Sequence, residues 1–82
     1  MQVTLYTRPG CHLCEEALAL LQRLQGEYQF SLTEVNIEEN DVLLARYHLS
    51  IPVLAIDGGD VLAAPITEAE VRRAVEERVS AA

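Results

Sequence analysis

Two residues separate Cys11 from Cys14, the only cysteines of the chain, and the pair sits where one periodicity gives way to another. Residues 3 to 7, Val-Thr-Leu-Tyr-Thr, alternate and are rich in β-branched side chains, so they read as a short strand. Pro9-Gly10 then stops that strand in a turn. From Cys14 onward the apolar residues Ala17, Leu18, Leu21 and Leu24 recur every three or four positions, the stripe of a helix with one buried face, and Gly26 supplies an expected left-handed cap. A loop closed across two residues is too small to hold a fold together as the bridges of secreted mini-proteins do. The pair is therefore read as chemistry placed on a strand-to-helix junction.

The rest of the chain continues the alternation. Residues 28 to 37 read as a second strand, although Phe30 and Leu32 share one phase and Val35 and Ile37 the other, which calls for a bulge or burial on two faces. Asn40 or Asp41 can cap a short helix through Val42, Leu43 and Ala45 to Leu49, a segment too brief to stand without tertiary packing. Val53 to Ile56 is a continuous apolar run, Asp57-Gly58-Gly59-Asp60 ends it, and Val61-Leu62-Ala63 resumes, which predicts a hairpin. Thr67 with Glu70 forms a capping box and Ile66 with Val71 its hydrophobic staple, opening a helix that buries Val71, Ala74, Val75 and Val79. A strand that returns through a helix pairs in parallel by a right-handed crossover, and the later hairpin adds antiparallel strands. The expectation is an α/β protein of order βαβαββα, one mixed four-stranded sheet between helices. That three-layer sandwich has a thioredoxin-like layout.

Composition narrows the partners. Eighty-two residues suit one domain, taken here as 1-82, and half of them are hydrophobic, as globular chains require. Six arginines, no lysine and 13 acids leave a net charge of −7, which disfavours a nucleic-acid backbone or an anionic membrane surface. The six residues from Ile51 to Ile56 fall far short of the roughly 20 needed to span a bilayer, so no membrane segment is expected. The first ten residues lack the basic start and apolar stretch of a secretory signal, which points to a cytoplasmic protein. Tyr6, Tyr28, Phe30 and Tyr47 are too scattered to stack bases and read as core or rim residues. Glu34, Glu38, Glu39 and Asp41 lack the spacing of a calcium loop and read as a solvated face. Arg72, Arg73 and Arg78 share the last helix with Glu68, Glu70, Glu76 and Glu77, a pattern of exposed ion pairing.

The position of the dithiol separates the roles of its two thiols. Cys11 falls in the first turn of the helix, where free N–H groups and the positive dipole end favour thiolate over thiol. Cysteines so placed have pKa values lowered from about 8.5 to roughly 3.5–7.5. Arg8, three residues earlier, adds a positive charge, while Glu15, Glu16 and the net charge oppose the anion. Solvent ions screen those charges beyond about 8 Å, so the helix start prevails. Cys14, one turn further and on the packed stripe, is placed to attack only a disulfide already formed on Cys11. His12 stands in an exposed first turn, where solvation is the commoner fate. Pro52 follows Ile51; an X-Pro bond is cis in only about 5–6% of cases, and a trans proline opening a strand is the plain alternative.

Tyr6-Thr7-Arg8-Pro9-Gly10-Cys11-His12-Leu13-Cys14-Glu15 and Ile51-Pro52-Val53-Leu54 together resemble the glutaredoxin-like branch of the thioredoxin superfamily. More narrowly, the chain is similar over nearly its whole length to small bacterial glutaredoxin-like proteins with a Cys-His-Leu-Cys pair and a Tyr-x-x-x-Ile-Pro-Val-Leu stretch, here Tyr47 to Leu54. The resemblance implies a thiol-disulfide oxidoreductase with Cys11 and Cys14 as catalytic residues. It also implies a substrate site of Arg8, His12, Leu13, Ile51 and Pro52, with Pro52 cis and the Ile51 backbone pairing with substrate. Its substrates would be protein or low-molecular-weight disulfides, met as a monomer, with no tightly bound cofactor, no metal, and glutathione possible as reductant. Glutathione-binding relatives carry a tyrosine inside the dithiol, Thr-Val before the proline, and Gly-Gly with acids after the last strand. Here Leu13, Ser50-Ile51, Leu62-Ala63 and Pro65-Ile66 stand at those places, which argues against efficient glutathione turnover. Two further readings remain: a binding module that kept the fold without turnover, and a zinc or iron-sulfur site built on the cysteine pair, with His48 as a conceivable third ligand.

Overall fold

Strand β1 (Gln2–Thr7) buries Val3, Leu5 and Thr7 on one face and turns Tyr6 to the other, so the chain's first alternation sets up two packing surfaces. The computed structural model describes residues 1–81. Helix α1 (His12–Tyr28) carries the chain back, and strand β2 (Ser31–Asn36) pairs in parallel with β1 from Gln2↔Ser31 to Thr7↔Asn36. A single 3-10 turn (Ile37–Glu39) leads to helix α2 (Asp41–Tyr47). Strands β3 (Val53–Ile56) and β4 (Gly59–Ala63) follow, then helix α3 (Glu68–Ala81). Strand β3 runs antiparallel to β1 and to β4, giving the order β2-β1-β3-β4. The fold is the expected mixed four-stranded sheet of order βαβαββα.

On one face, Ala17, Leu21 and Leu24 of α1 and Val71, Ala74 and Val75 of α3 close over Val3, Leu5, Leu54 and Ile56. On the other, Ile37, Tyr47 and Val53 form a smaller core with Tyr6, Leu43, Leu44 and Ile51 packed against it. Strand β3 is therefore covered on both sides, all four of its residues being buried, and this is why its sequence is continuously apolar rather than alternating. Each fully buried side chain of the leucine or valine class contributes roughly 1.5–3 kcal/mol.

The turn chemistry follows the sequence closely. Asp57 (φ 49°) and Gly58 (φ 87°) form the two-residue bend of the hairpin, both in the positive-φ region that a type I′ turn demands. Asp57 is held there by its N–H donating to the Gln2 carbonyl at 2.8 Å and its Oδ1 accepting from the Gln2 N–H at 2.8 Å. Asn40 caps α2, its Oδ1 accepting from Val42 and Leu43 N–H at 2.9 and 3.1 Å. The Thr67–Glu70 box is formed in both directions, at 3.2 and 3.3 Å.

Several expectations are corrected. Helix α1 does not stop at Gly26 but runs to Tyr28 and is capped by Gln29 in the left-handed region, φ 57° and ψ 47°. The cost of a helical glycine, about 1 kcal/mol, is offset by what the last two residues reach. Glu27 and Tyr28 meet Arg72, and Tyr28 also meets Glu76, across α3. Of the two alternatives for residues 28 to 37, β2 takes the second: with no bulge, Leu32 packs against the larger core and Val35 stands opposite Tyr6 on the other face, while Phe30 precedes the strand and Ile37 lies in the 3-10 turn after it. The irregularity sits instead between Leu54 and Ala55, where β3 meets β4. Helix α2 ends at Tyr47 rather than Leu49, and Val42 within it, Leu49 beyond it and Val79 near the end of α3 stand 72%, 88% and 56% exposed, so these apolar residues are not core.

Candidate active site

Pro9-Gly10 brings β1 into α1, with Gly10 at φ 78°, a conformation that side chains with a Cβ rarely adopt. Cys11 is then the N-cap of α1 rather than a member of its first turn, extended at φ −92° and ψ 105°. Its Sγ accepts from the Cys14 N–H at 3.1 Å, doing for the helix start what a serine or aspartate oxygen does elsewhere. The two sulfurs are joined in a disulfide, with Cα atoms 5.2 Å apart. Cys11 is half-buried and Cys14 is 3% exposed, one turn in on the stripe that carries Ala17 and Leu21. The separation of an accessible and a protected sulfur follows from that helical phase.

A cavity of about 460 Å³ opens beside the disulfide. Arg8, Cys11, Cys14, Glu15, Glu34 and Glu39 are among its walls. Thr7, the one buried polar residue beneath it, donates from Oγ1 to Glu34 Oε2 at 3.1 Å. Parallel pairing of β1 with β2 creates this wall, since it sets Thr7 opposite Asn36 and carries Glu34 and Val35 to the same end of the sheet as the dithiol.

The other site residues fall into two groups. Arg8 lines the dithiol cavity, but its guanidinium is engaged: Nε and Nη2 both donate to Glu38 Oε2, at 3.1 and 2.6 Å. The positive charge expected beside Cys11 is thus shared with a carboxylate. His12 is 82% exposed in its side chain, 3.9 and 3.7 Å from the Glu15 and Glu16 carboxylates, and does not line the cavity. Leu13 is 52% exposed between the two cysteines.

Pro52 is fully buried and its bond to Ile51 is cis. A second cis bond, Ala64–Pro65, has no signature in the sequence. Val53 pairs with Tyr6, so Ile51-Pro52 lies at the end of β1 from which the chain departs toward Cys11. The Ile51 N–H already donates to the Tyr47 carbonyl at 3.1 Å. The Ile51 N–H is thus engaged within the chain, so backbone pairing with a substrate at this residue would fall to its carbonyl.

Tyr47 is the residue that sequence reasoning left in the core without a task. Its ring stacks on Tyr6 with centroids 4.5 Å apart, and its hydroxyl donates to the Asp60 carboxylate, with Oδ1 and Oδ2 at 3.0 and 2.8 Å. Its carbonyl receives the Ser50 and Ile51 N–H groups. Burial first, then the Asp60 carboxylate, pushes its phenol up to about 12. One side chain thereby ties the loop before Pro52 to β1 and β4. The signal was present in the Tyr-x-x-x-Ile-Pro spacing, but nothing marked Asp60 as its partner.

His48 does not line the dithiol cavity; its Nδ1 is 3.0 Å from the Leu44 carbonyl, and it lines a second cavity with Asp41, Leu44, Ala45 and Arg8, the residue the two cavities share. Among the described residues no three His, Cys, Asp or Glu side chains are grouped to hold a metal ion. No helix among them is long and apolar enough to cross a membrane.

Comparison with known proteins accords with this geometry. The family model described as Glutaredoxin-like domain (DUF836) matches residues 2–76. A structural-genomics target protein from X. campestris is 29% identical over 92% of this chain and 96% of its own, with a TM-score of 0.78. A protein from Nitrosomonas europaea is 31% identical over 89% of this chain and 88% of its own, with a TM-score of 0.75. Thioredoxin 1 from Thermosipho africanus, at 15% identity, matches 98% of this chain and 96% of its own with a TM-score of 0.75, a likeness of fold.

Proposed function

The chain belongs to the glutaredoxin-like domain family, and from that premise we propose that it is a thiol-disulfide oxidoreductase working through Cys11 and Cys14. The observation that carries the reading is the disulfide at the N-cap of α1 with its two sulfurs unequally buried. In the reduced protein the Cys11 thiolate attacks one sulfur of a substrate disulfide. The other substrate sulfur leaves as a thiolate that takes up a proton, and a mixed disulfide remains on Cys11. The Cys14 thiol then loses its proton and attacks Cys11 Sγ, releasing the second substrate thiol and forming the Cys11–Cys14 bond. Two electrons pass from the dithiol to the substrate, and an external thiol, glutathione among the candidates, returns them.

The helix start supplies the asymmetry this sequence of steps requires, because N–H groups face Cys11 and not Cys14. Leu13, exposed between the cysteines, and the Ile51 carbonyl beside buried Pro52 are the groups we assign to contact with substrate, with Arg8 and His12 at the margin. Protein and low-molecular-weight disulfides of neutral or cationic character suit a chain of charge −7 better than anionic ones do. We place the protein in the cytoplasm, where a returning supply of thiol exists. The test is trapping. Cys14→Ser should accumulate a stable mixed disulfide with substrate, seen as a mass increment removed by reductant. Cys11→Ser should form none, and equal adduct formation by both variants would refute the assignment of roles.

A further inference from the structure

We infer that Glu38 is a positioning residue that withholds the Arg8 charge from Cys11, and so sets how acidic the attacking thiol can become; this rests on the oxidoreductase reading above. Arg8 lies three residues before Cys11 and lines the same cavity as both sulfurs. It is the one cationic side chain among the residues of that wall. Both of its bonds, from Nε and Nη2, go to a single oxygen of Glu38. That carboxylate is 40% exposed, but the backbone that carries it is fixed. The Glu38 N–H donates to Asn36 Oδ1 at 2.9 Å, and Asn36 caps the 3-10 turn. The turn itself is pinned by Ile37, which is fully buried in the smaller core.

In the disulfide form neither sulfur is charged, so no thiolate competes with Glu38 for the guanidinium, although Glu15, Glu34 and Glu39 share one cavity with Arg8 and Asp41 and His48 of α2 share another. In the reduced form a Cys11 thiolate meets a guanidinium whose charge is already shared with a carboxylate carried on a fixed turn, so it draws less stabilisation from Arg8 than an unpaired cation would give. The remaining acidic groups around the sulfur are Glu15, Glu34 and Glu39 in the cavity wall and Glu16 on the exposed side of α1, where the titratable His12 also stands. Glu39, the very next residue, lines the cavity, whereas Glu38 is not among its walls. The two neighbours therefore separate two explanations. If only the sum of negative charge mattered, removing Glu39 would acidify Cys11 at least as much as removing Glu38. If Glu38 acts by holding Arg8, the order is reversed.

The experiment follows thiolate absorbance against pH in the reduced full chain for E38Q, E39Q, R8Q and the double variant R8Q/E38Q, each checked for an unchanged melting transition. Glu38→Ala serves as a second variant should E38Q fold poorly, and E38D should behave as the unmodified protein. E38Q is expected to raise the Cys11 dissociation constant about tenfold, the low end of the effect of a nearby opposite charge. E39Q should raise it by clearly less, and R8Q should undo the gain in the E38Q background while changing little on its own. An E39Q effect equal to that of E38Q, or an R8Q effect identical in both backgrounds, overturns the inference. Failure of the unmodified protein to cycle reversibly between dithiol and disulfide would instead overturn the oxidoreductase reading.

Discussion

Replacing Tyr47 by phenylalanine removes one hydroxyl from a residue that is 5% exposed and joins three parts of the site. The ring, its stack on Tyr6 and the carbonyl that receives Ser50 and Ile51 all stay; the donor to Asp60 is lost. A hydrogen bond to a charged group is worth about 1.5–3 kcal/mol. Asp60 is 36% exposed and keeps Arg46 at 3.6 Å, so water and that cation compensate in part. A loss of about 1–2 kcal/mol at neutral pH is therefore expected.

Burial of the hydroxyl, and after it the Asp60 carboxylate, also fixes a pH dependence. The phenol is pushed from its ordinary 10 to about 12. The folded protein thus holds the proton more tightly than the unfolded chain, and the associated stability is complete below pH 10 and lost as pH rises through about 12. The rise from 10 to about 12 corresponds to about 2.7 kcal/mol at most, which screening at the partly exposed Asp60 reduces to about 1–2 kcal/mol. The Tyr47→Phe variant has nothing to titrate at this position, so the stability gap between the two proteins should close over that alkaline range. Urea unfolding at a series of pH values from neutral upward measures it directly. A gap that is absent at neutral pH, or one that stays constant through the alkaline range, would refute the reasoning.

Two other outcomes are expected. Gly10→Ala places a Cβ in open space but at φ 78°, so the loss should be purely conformational, about 1–2 kcal/mol by chemical denaturation, with the dithiol still able to close. Arg72 bridges Glu27 and Glu68 and leans on Tyr28, clamping α1 to α3. Arg72→Met should lower the melting temperature in dilute buffer, and the difference should shrink in about 1 M salt, where screening acts within about 3 Å.

The parts of the fold that could be read from sequence are those set by neighbours in the chain. The Asp57-Gly58 bend, the Thr67–Glu70 box and the stripe from Cys14 to Leu24 each depend on spacings of a few residues, and each is present in the structure. The same holds for the disposition of Cys11 and Cys14, because helical phase alone decides which sulfur is buried. What could not be read depends on partners far away in sequence. Glu38 reads in sequence as part of a solvated acidic face, yet it holds Arg8 from 30 positions away. Gly26 reads as a stop, yet contacts with Arg72 and Glu76 repay two more residues of helix. Tyr47 is legible as a core residue and as part of a spacing, but its link to Asp60 arises only when β4 folds beside β3.

The central claim is that Cys11 and Cys14 exchange two electrons with thiols in solution. It is tested most directly by equilibrating the protein in glutathione redox buffers of graded composition, quenching with acid and weighing it. The pair should lose and regain two hydrogen masses reversibly, with a midpoint in the range of a cytosolic thiol pool, roughly −220 to −320 mV. A pair that stays in one state across the whole series, or that changes mass only by an irreversible adduct, would contradict it.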